Sequence, residues 1–358
     1  MNRQISLSSF VGNRRVIDVL LRAVERQRLP HAMIFAGPEG VGKTTAAVLL
    51  ARLLNCPVPE GGDACGECPV CRRIMAVLQA RVLECLAPKG NLPCGGCRSC
   101  RVIAGQHPDV RIIRPEKTVI TVDQVRLMIG EISYHPFEAK YRVTILDPAD
   151  QMRPEGMNSL LKTLEEPPSR TVMILVTTSP FLFPITIRSR ARTLMFGGIS
   201  QGEIERYLVE SAGRKPEEAS VAALFSNGSL GSAISFDMEA FRDIRAQALR
   251  FVTLLLGGRG FAEVSRIAAA VGKDKDKDAF LLWIKAMGGV LQDLYYAKIE
   301  PDRIGQKDVR EEIMRLARGT TREFIASAIA ALDRLKSGLA HNVNRPLAVE
   351  SFFLSLQR

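Results

Sequence analysis

The stretch His31-Ala-Met-Ile-Phe-Ala-Gly-Pro-Glu-Gly-Val-Gly-Lys-Thr44 decides how this chain folds. His31–Ala36 is a short apolar run of strand length, and Gly37–Thr44 fits the pattern G-x-x-x-x-G-K-[ST] in full. In such a loop the glycines let backbone N–H groups surround phosphate oxygens, the lysine contacts the outer phosphates, and the threonine hydroxyl binds Mg²⁺. An Ala- and Leu-rich helix is predicted over 44–54, and its N-terminus faces the same anion. The stretch therefore predicts a strand, a loop and a helix that bind ATP with Mg²⁺.

An acidic residue at the end of a later strand completes the predicted nucleotide site. Tyr141–Leu146 is an apolar run followed by Asp147, where P-loop enzymes place a carboxylate of the Mg²⁺ shell. The next residue in the usual pattern is a glutamate that polarises the attacking water, and here it is Pro148. We interpret Asp150 as a helix cap, with a surface carboxylate as the alternative. The predicted nucleotide-binding residues are Gly37, Pro38, Glu39, Gly40, Val41, Gly42, Lys43, Thr44, Thr45 and Asp147.

Apolar runs alternate with helical patterns over the first 200 residues. Further strands are predicted at 110–113, 141–146 and 172–177, and helices at 15–28, 122–132 and 158–166. Such alternation predicts a parallel sheet with helices on both faces. After Phe196-Gly-Gly198 the strand signals fade and helical patterns continue to the end. The predicted domains are a P-loop domain over 1–197, a small helical lid over 198–238 and an all-α domain over 239–358.

The composition sets broad limits. A chain of 358 residues with 46% hydrophobic content supports two or three domains with real cores. The formal charge of +11 permits a polyanionic partner, although a solvated basic surface explains it equally well. The chain shows neither a secretory h-region at its N-terminus nor a stretch of about 20 apolar residues, so we expect a cytoplasmic protein. Reduced thiols in that compartment favour metal ligands over disulfides.

All eight cysteines belong to one duplicated pattern. Cys56, Cys65, Cys68 and Cys71 have the spacing C-x8-C-x2-C-x2-C, and Cys85, Cys94, Cys97 and Cys100 repeat it 29 residues later. A thiolate quartet in a short loop bearing glycine and proline is what a tetrahedral structural zinc site needs. The sequence therefore predicts two Zn²⁺ in an inserted module over about residues 55–105.

Three alternatives to two zinc sites stay open. An iron–sulfur cluster would also use a C-x2-C-x2-C run, but the fourth cysteine of the ferredoxin pattern would fall at Met75 or Ala104. In the second alternative, one of the two copies has lost its metal. In the third, His107 is an additional ligand, although such a histidine more often belongs to the hydrogen bonding of its loop.

Taken together, these motifs resemble bacterial AAA+ clamp-loader subunits. The resemblance rests on Gly37–Thr44, on Asn158-Ser-Leu-Leu-Lys-Thr-Leu-Glu-Glu-Pro-Pro168, on Thr186-Ile-Arg-Ser-Arg190, and on a cysteine quartet placed before Gly105–Asp109. It implies an α/β AAA+ P-loop NTPase domain with a helical lid and an all-α collar. It also implies a subunit of the DNA polymerase III clamp loader, which places a sliding clamp on primed DNA. The implied partners are the gamma/tau ATPase and delta subunits, the clamp, and the primer-template DNA backbone.

The resemblance also assigns roles to residues after the fourth strand. Arg190 lies where the family has an arginine that reaches the ATP site of the neighbouring subunit, and Ala191 replaces the family's cysteine. Arg188 competes for this role, and an ordinary surface arginine is the alternative reading of both. Thr178 matches the polar sensor of the family, with a strand-end hydroxyl that caps a turn as the alternative.

Two parts of the hydrolytic machinery are missing relative to the family's ATPase subunits. Pro148 stands at the position of the base, and Gly231 stands where the lid of those subunits carries a second sensor arginine. Both changes favour a stator that binds ATP, hydrolyses it weakly or not at all, and lends Arg190 to a neighbour. The intact Lys43 and Thr44 keep open an active ATPase motor of the gamma/tau type.

Nucleic-acid contacts are a weaker expectation. Family helices follow the duplex backbone, and Val122-Asp-Gln-Val-Arg126 is the candidate segment, with its helix N-terminus and Arg126 near phosphate. An arginine on an ordinary exposed helix explains the segment at least as well. A zinc module that binds nucleic acid through its own basic loops is disfavoured, because no aromatic residue interleaves the arginines that flank the cysteines.

Overall fold

The computed structural model describes residues 6–79, 107–116, 118–258, 260–272, 277–338 and 344–357. These residues form two compact units. The first unit contains the described residues up to Ile204 together with Gly228–Gly231. The second contains Glu205–Asn227 and the described residues from Ser232 onward.

A five-stranded parallel sheet forms the centre of the first unit. Its strands are β1 (Ala32–Ala36), β2 (Val110–Ile113), β3 (Arg142–Leu146), β4 (Thr171–Thr177) and β5 (Arg192–Met195). Their order across the sheet is β2-β3-β4-β1-β5, and every pair is parallel. The carboxyl ends of β1, β3 and β4 therefore meet at one edge of the sheet, where ligands bind in open α/β folds.

Helices cover both faces of this sheet. They are α1 (Arg14–Glu25), α2 (Lys43–Asn55), α3 (Pro69–Gln79), α4 (Val122–Ile132), α5 (Pro154–Glu165) and the short α6 (Ile185–Arg188). Alternate strand residues enter two separate cores: Phe35 and Ile145 pack with α1, α2 and α3, whereas Ile34 and Leu146 pack with α4 and α5. Burial on both faces explains why β1, β3 and β4 are almost continuously apolar in sequence.

Helices α7 (Gln201–Glu210), α8 (Pro216–Phe225) and α9 (Leu230–Ile234) follow the sheet. The remaining described helices are α10 (Met238–Gly257), α11 (Phe261–Val271), α12 (Lys277–Ile299), α13 (Arg310–Arg318), α14 (Arg322–Gly338) and α15 (Arg345–Ser355). Their core is centred on aromatic side chains such as Trp283, whose ring meets that of Phe251 edge-on at 5.4 Å. The α/β fold with a helical C-terminal region predicted from sequence is thus the fold observed.

A buried ion pair fixes the loop that leads into β3. Both carboxylate oxygens of Asp109 accept backbone hydrogen bonds, from Phe137 N at 2.7 Å, Glu138 N at 2.9 Å and Ala139 N at 3.1 Å. Arg142 Nη2 donates to the same carboxylate at 3.0 Å, and the guanidinium also bonds the carbonyls of Glu131, Tyr134 and His135. Burial raises the pKa of Asp109, but these donors outweigh it and hold the pKa below its usual value.

We expect Asp109→Asn to destabilise the first unit by about 3 kcal/mol, because it leaves the Arg142 guanidinium buried without its counter-charge. Urea unfolding followed by hydrogen exchange of residues 107–146 measures the change. Since the folded pKa is depressed, the carboxylate stabilises the protein fully above about pH 4 to 5 and loses this contribution at lower pH. The difference between wild type and variant should therefore shrink on acidification. The exposed Asp123→Asn is the control, and equal effects of the two variants would contradict the assignment.

Candidate functional site

The loop between β1 and α2 has the backbone of a phosphate cradle. Gly37, Gly40 and Gly42 all have positive φ, at 147°, 71° and 92°. A Cβ at Gly37 would lie 2.1 Å from the carbonyl oxygen of Phe196, and one at Gly40 would lie 2.0 Å from Ser229 Oγ. These positions thus require glycine both for conformation and for space. The sequence motif indicated that the loop needs glycine, but it did not indicate that Phe196 and Ser229 would lie against these positions.

Lys43 begins α2 and is only 6% exposed. Its Nζ donates to the carbonyl oxygens of Gly37 and Pro38, both at 2.6 Å. Burial lowers the pKa of Lys43, and the carboxylates of Asp147, Glu39 and Asp150 oppose that effect. The ammonium is therefore held inside the curve of the loop, within reach of any anion that enters it. Thr45 lies half-buried in the first turn of the same helix.

Thr44 and Asp147 meet at the carboxyl edge of the sheet. Thr44 Oγ1 donates to Asp147 Oδ2 at 2.7 Å, although the residues are 103 positions apart. Asp147 directly follows β3, and its backbone N–H donates to Ile113 O at 2.9 Å. A hydroxyl and a carboxylate at this separation are oxygen donors of the type Mg²⁺ prefers beside nucleotide phosphates. The donor set thus fits the ATP–Mg²⁺ predicted from the sequence.

The segment after Asp147 differs from the prediction in one respect. Asp150 is not a helix cap: it lies within the 3₁₀ turn Ala149–Gln151, and the residues that precede the turn and the following α5 are Pro148 and Arg153. Its Oδ1 is buried and has no hydrogen-bond partner among the described residues. Its negative charge raises the pKa of Lys43, but less than the charges of Asp147 and Glu39 do.

Two adjacent threonines at the end of β4 have different surroundings. Thr177 is buried, and its hydroxyl donates to Ser179 O at 2.9 Å and accepts from Ser179 N at 3.2 Å. Thr178 is exposed at the strand end, beside the ends of β1 and β3 in the sheet order. The turn-capping hydroxyl considered as the alternative for Thr178 therefore belongs to Thr177.

Gly231 lies directly against the phosphate-binding loop. Its backbone N–H donates to Gly40 O at 2.9 Å, and a Cβ at Gly231 would lie 3.3 Å from Gly40 Cα. This position therefore contacts the loop through its backbone.

The two arginines after β4 have different surroundings. Arg190 Nη2 lies 2.7 Å from Glu165 Oε1, and Nη1 donates to Thr186 O at 2.9 Å. The guanidinium of Arg188 instead lies over the ring of Phe181, 5.3 Å from its centre. Arg190 thus offers an exposed cation held by hydrogen bonds, whereas Arg188 is half-buried and stacked.

The first cysteine quartet forms a compact cluster. The four Sγ atoms of Cys56, Cys65, Cys68 and Cys71 all lie within 4.8 Å of one another. Cys56 Sγ and Cys65 Sγ are 3.5 Å apart, and Cys65 Sγ and Cys71 Sγ are 3.9 Å apart. Zinc–sulfur bonds of about 2.3 Å in a tetrahedron place sulfur atoms about 3.8 Å apart. The separations and the all-sulfur donor set therefore fit one tetrahedral thiolate-bound ion.

Backbone N–H groups turn toward the sulfur atoms of this cluster. Cys65 N donates to Cys56 Sγ and Cys71 N to Cys68 Sγ, each at 3.4 Å. Bonds from the backbone N–H groups of Cys68 and Glu67 lower the pKa of Cys65 to about 7. Burial raises the pKa of Cys71. The second quartet, Cys85, Cys94, Cys97 and Cys100, lies outside the described residues.

Helix α3 anchors the first quartet to the sheet. It begins at Pro69, directly after Cys68, and Cys71 and Ile74 are fully buried in the same core as α2. The sequence did not predict this helix, whose buried residues join the core of the sheet. The loop that contains His107 includes one hydrogen bond to its ring, since His107 Nδ1 accepts from Asp109 N at 3.2 Å.

The candidate nucleic-acid segment starts α4. Thr121 caps the helix, because its Oγ1 accepts from Gln124 N at 3.3 Å while Gln124 Oε1 accepts from Thr121 N at 3.0 Å. Arg126 is exposed beside a cavity of about 660 Å³ that Asp123 and Glu131 also line. The surface around Arg126 thus carries both signs of charge.

Curated relatives and solved structures resemble this chain over most of its length. The delta-prime subunit of DNA polymerase III from Bacillus subtilis (strain 168) is 28% identical over 344 residues, which cover 96% of this chain and 95% of the relative. The tau subunit from Escherichia coli (strain K12) is 26% identical over 326 residues, or 85% of this chain and 46% of that longer relative. A gamma subunit-related protein of DNA polymerase III from Thermotoga maritima has 16% identity, covers 95% of this chain and 98% of its own, and gives a TM-score of 0.41.

Within the described part of the chain, no helix has the length and apolarity to cross a bilayer.

A family model described as "DNA polymerase III, delta subunit" matches residues 12–82 and 74–200. The two matched stretches overlap at residues 74–82, which lie between the two cysteine quartets. This overlap fits a family module that is present twice in the chain. The two stretches span 12–200, which is 189 of the 358 residues. Because the match covers more than half of its length, the chain belongs to the DNA polymerase III delta subunit family.

Proposed function

We propose that this chain is a clamp-loader subunit of the delta-prime type, which binds ATP–Mg²⁺, hydrolyses it weakly or not at all, and lends an arginine to a neighbouring ATPase subunit. The observation that carries the proposal is the contact of Thr44 Oγ1 with Asp147 Oδ2 at 2.7 Å, with Pro148 as the next residue. The nucleotide cradle is thus complete, while the position of the usual base has no proton acceptor. The similarity to the delta-prime subunit over 96% of the chain supports the same type.

The residues of the loop have separate tasks in this proposal. The glycine backbone surrounds the phosphates, and Lys43 exchanges the carbonyls of Gly37 and Pro38 for phosphate oxygens. Thr44 and Asp147 hold Mg²⁺, which when bound offsets the negative charge of the phosphates. Thr178 reports from the end of β4 on the state of the nucleotide. Gly231 offers only backbone to the loop and therefore adds no charge to it.

In the proposed complex Arg190 acts in trans. An arginine supplied by a neighbouring subunit stabilises the charge of a transferring phosphoryl group. The proposed partners are the gamma/tau ATPase and delta subunits, the sliding clamp and primer-template DNA. The formal charge of +11 suits the DNA, and the capped N-terminus of α4 with Arg126 is the proposed contact to its phosphates.

The proposed metal content is two structural Zn²⁺. One ion binds Cys56, Cys65, Cys68 and Cys71, whose sulfur separations support it, and the other binds Cys85, Cys94, Cys97 and Cys100 by the duplicated spacing. Four thiolates leave no open position on the ion for water, so the role is to hold the module folded rather than to catalyse.

An active motor of the gamma/tau type is the second candidate. The buried and unbonded Oδ1 of Asp150 favours it, because this carboxylate lies two residues after Pro148 and is a proton acceptor, which the proline is not. Steady-state ATPase and nucleotide binding of the purified chain, alone and mixed with ATPase subunits, decide between the two. Binding with little hydrolysis supports the delta-prime type, since the loss of a general base lowers turnover by about 10²–10⁴-fold. Robust turnover by the isolated chain supports the motor.

We expect Lys43→Ala to weaken ATP binding by the isolated chain about 10- to 100-fold, because it removes a charge-assisted contact to the phosphates. Isothermal titration with ATP and Mg²⁺ measures the affinity. The exposed Lys162→Ala is the matched control and should bind as wild type. A thermal melt shows that the variant is folded. Unchanged affinity in a folded Lys43→Ala protein would disprove binding through this loop.

A further inference from the structure

The signature stretch Asn158–Pro168 has no place in the nucleotide site described above. It forms most of α5, which ends at Glu165, because Pro167 and Pro168 cannot continue the helix. The end of the helix places the Glu165 carboxylate beside α6, the element that precedes Arg190. The glutamate of this signature and the arginine of the next one are therefore in direct contact.

Both terminal nitrogens of Arg190 are engaged by its own chain. Nη2 lies 2.7 Å from Glu165 Oε1. Nη1 donates to Thr186 O at 2.9 Å and to Ser189 Oγ at 3.3 Å. These are the same two nitrogens that an arginine uses to bind a carboxylate or a phosphate in parallel. While the contacts persist, the guanidinium cannot present both nitrogens to a second subunit.

The pairing is specific to one arginine and one glutamate. In the described ranges Arg188 has no carboxylate partner and lies over the Phe181 ring. The next carboxylate in the signature, Glu166, is exposed, and no hydrogen bond or ion pair of its side chain occurs among the described residues. Glu166 therefore provides a control with the same charge and almost the same position.

We propose that Glu165 is a positioning residue that holds Arg190 against its own subunit until a phosphate of the neighbour's nucleotide replaces the carboxylate. This inference rests on the proposed role of Arg190 in trans. The exchange is chemically balanced, because one anionic partner with oxygen acceptors takes the place of another. The side chains of Arg190 and Glu165 are 36% and 51% exposed. A pair of that exposure is weak enough to open, and it shifts an equilibrium by no more than about fivefold.

The test is a double-mutant cycle in the complex reconstituted with the ATPase and delta subunits. We expect Glu165→Gln to raise ATPase activity without DNA and clamp about two- to fivefold. With saturating DNA and clamp the rate should stay unchanged, since Arg190 is then already engaged. Glu165→Asp, which keeps the charge, should lie between wild type and Glu165→Gln, and Glu166→Gln should match wild type.

The Arg190→Ala background separates the two proposals. If Glu165 acts through Arg190, Glu165→Gln has no further effect in Arg190→Ala complexes. An equal increase in both backgrounds, or none in wild type, overturns the positioning role alone. A wild-type rate for Arg190→Ala overturns the role in trans and the positioning role with it. Gel filtration of each complex shows that assembly is intact.

Discussion

Arg190→Ala should lower the rate of ATP hydrolysis at the neighbour's site by about 10³-fold, while the affinity of this chain for its own nucleotide stays unchanged. Arginines supplied in trans contribute 10³- to 10⁵-fold to hydrolysis, because they stabilise charge on the transferring phosphoryl group. The side chain is exposed and held only by contacts within the chain, so its removal costs little folding stability. The steady-state ATPase rate of the assembled complex with DNA and clamp should fall by at least the fraction of total turnover that this one ATP site contributes.

Arg188→Ala is the matched control, since Arg188 lies two residues earlier and stacks on Phe181. It should keep the ATPase of the complex, and it should destabilise the chain modestly by the loss of that stacking. A larger loss of activity for Arg188→Ala than for Arg190→Ala would assign the role in trans to Arg188. A wild-type rate for Arg190→Ala would remove the assignment altogether.

The sequence predicted those strands that are buried on both faces. In β1, β3 and β4 every residue is buried, and each strand appears as an apolar run. The strand β5 was not predicted, because only Leu194 of Arg192-Thr-Leu-Met195 is buried. This edge strand is fixed by its parallel pairing with β1, a long-range contact that leaves no periodic signal. The other edge strand, β2, was predicted, because three of its four residues are apolar and Val110 and Ile113 are buried. Local pattern therefore detects a strand by its apolar residues, whatever its place in the sheet.

The candidate site shows the same division between local motif and long-range contact. The spacing of Gly37–Thr44 and of the cysteines predicted residues whose geometry suits phosphate and metal. The expected helix cap at Asp150 was wrong, since this residue lies inside a 3₁₀ turn that the sequence pattern did not indicate. The pairing of Glu165 with Arg190 joins two motifs 25 positions apart, and neither motif alone indicates it.

Cys68→Ser should remove one of two bound zinc ions and unfold the module around the first quartet. A structural zinc site contributes about 10–16 kcal/mol of apparent binding free energy, far more than the described part of the module gains from its few buried side chains. Cys71 and Ile74 pack against α2 only while α3 is formed, so the loss should spread through α3. Metal analysis by mass spectrometry should give two Zn²⁺ per wild-type chain and one per variant, and hydrogen exchange should show loss of protection over residues 56–79.

Two variants make this prediction specific. Glu67→Gln changes a residue inside the same loop that contributes no sulfur ligand, so it should retain both ions. Cys97→Ser should also lose one ion, and the double variant with Cys68→Ser should lose both, if each quartet is a separate site. Nucleotide binding should survive Cys68→Ser, because Lys43 and Asp147 lie at the carboxyl edge of the sheet, outside the module, and keep their contacts. One zinc in the wild type would mean that one copy has lost its metal. Iron with a visible absorption band would mean that the cysteines bind an iron–sulfur cluster instead of zinc.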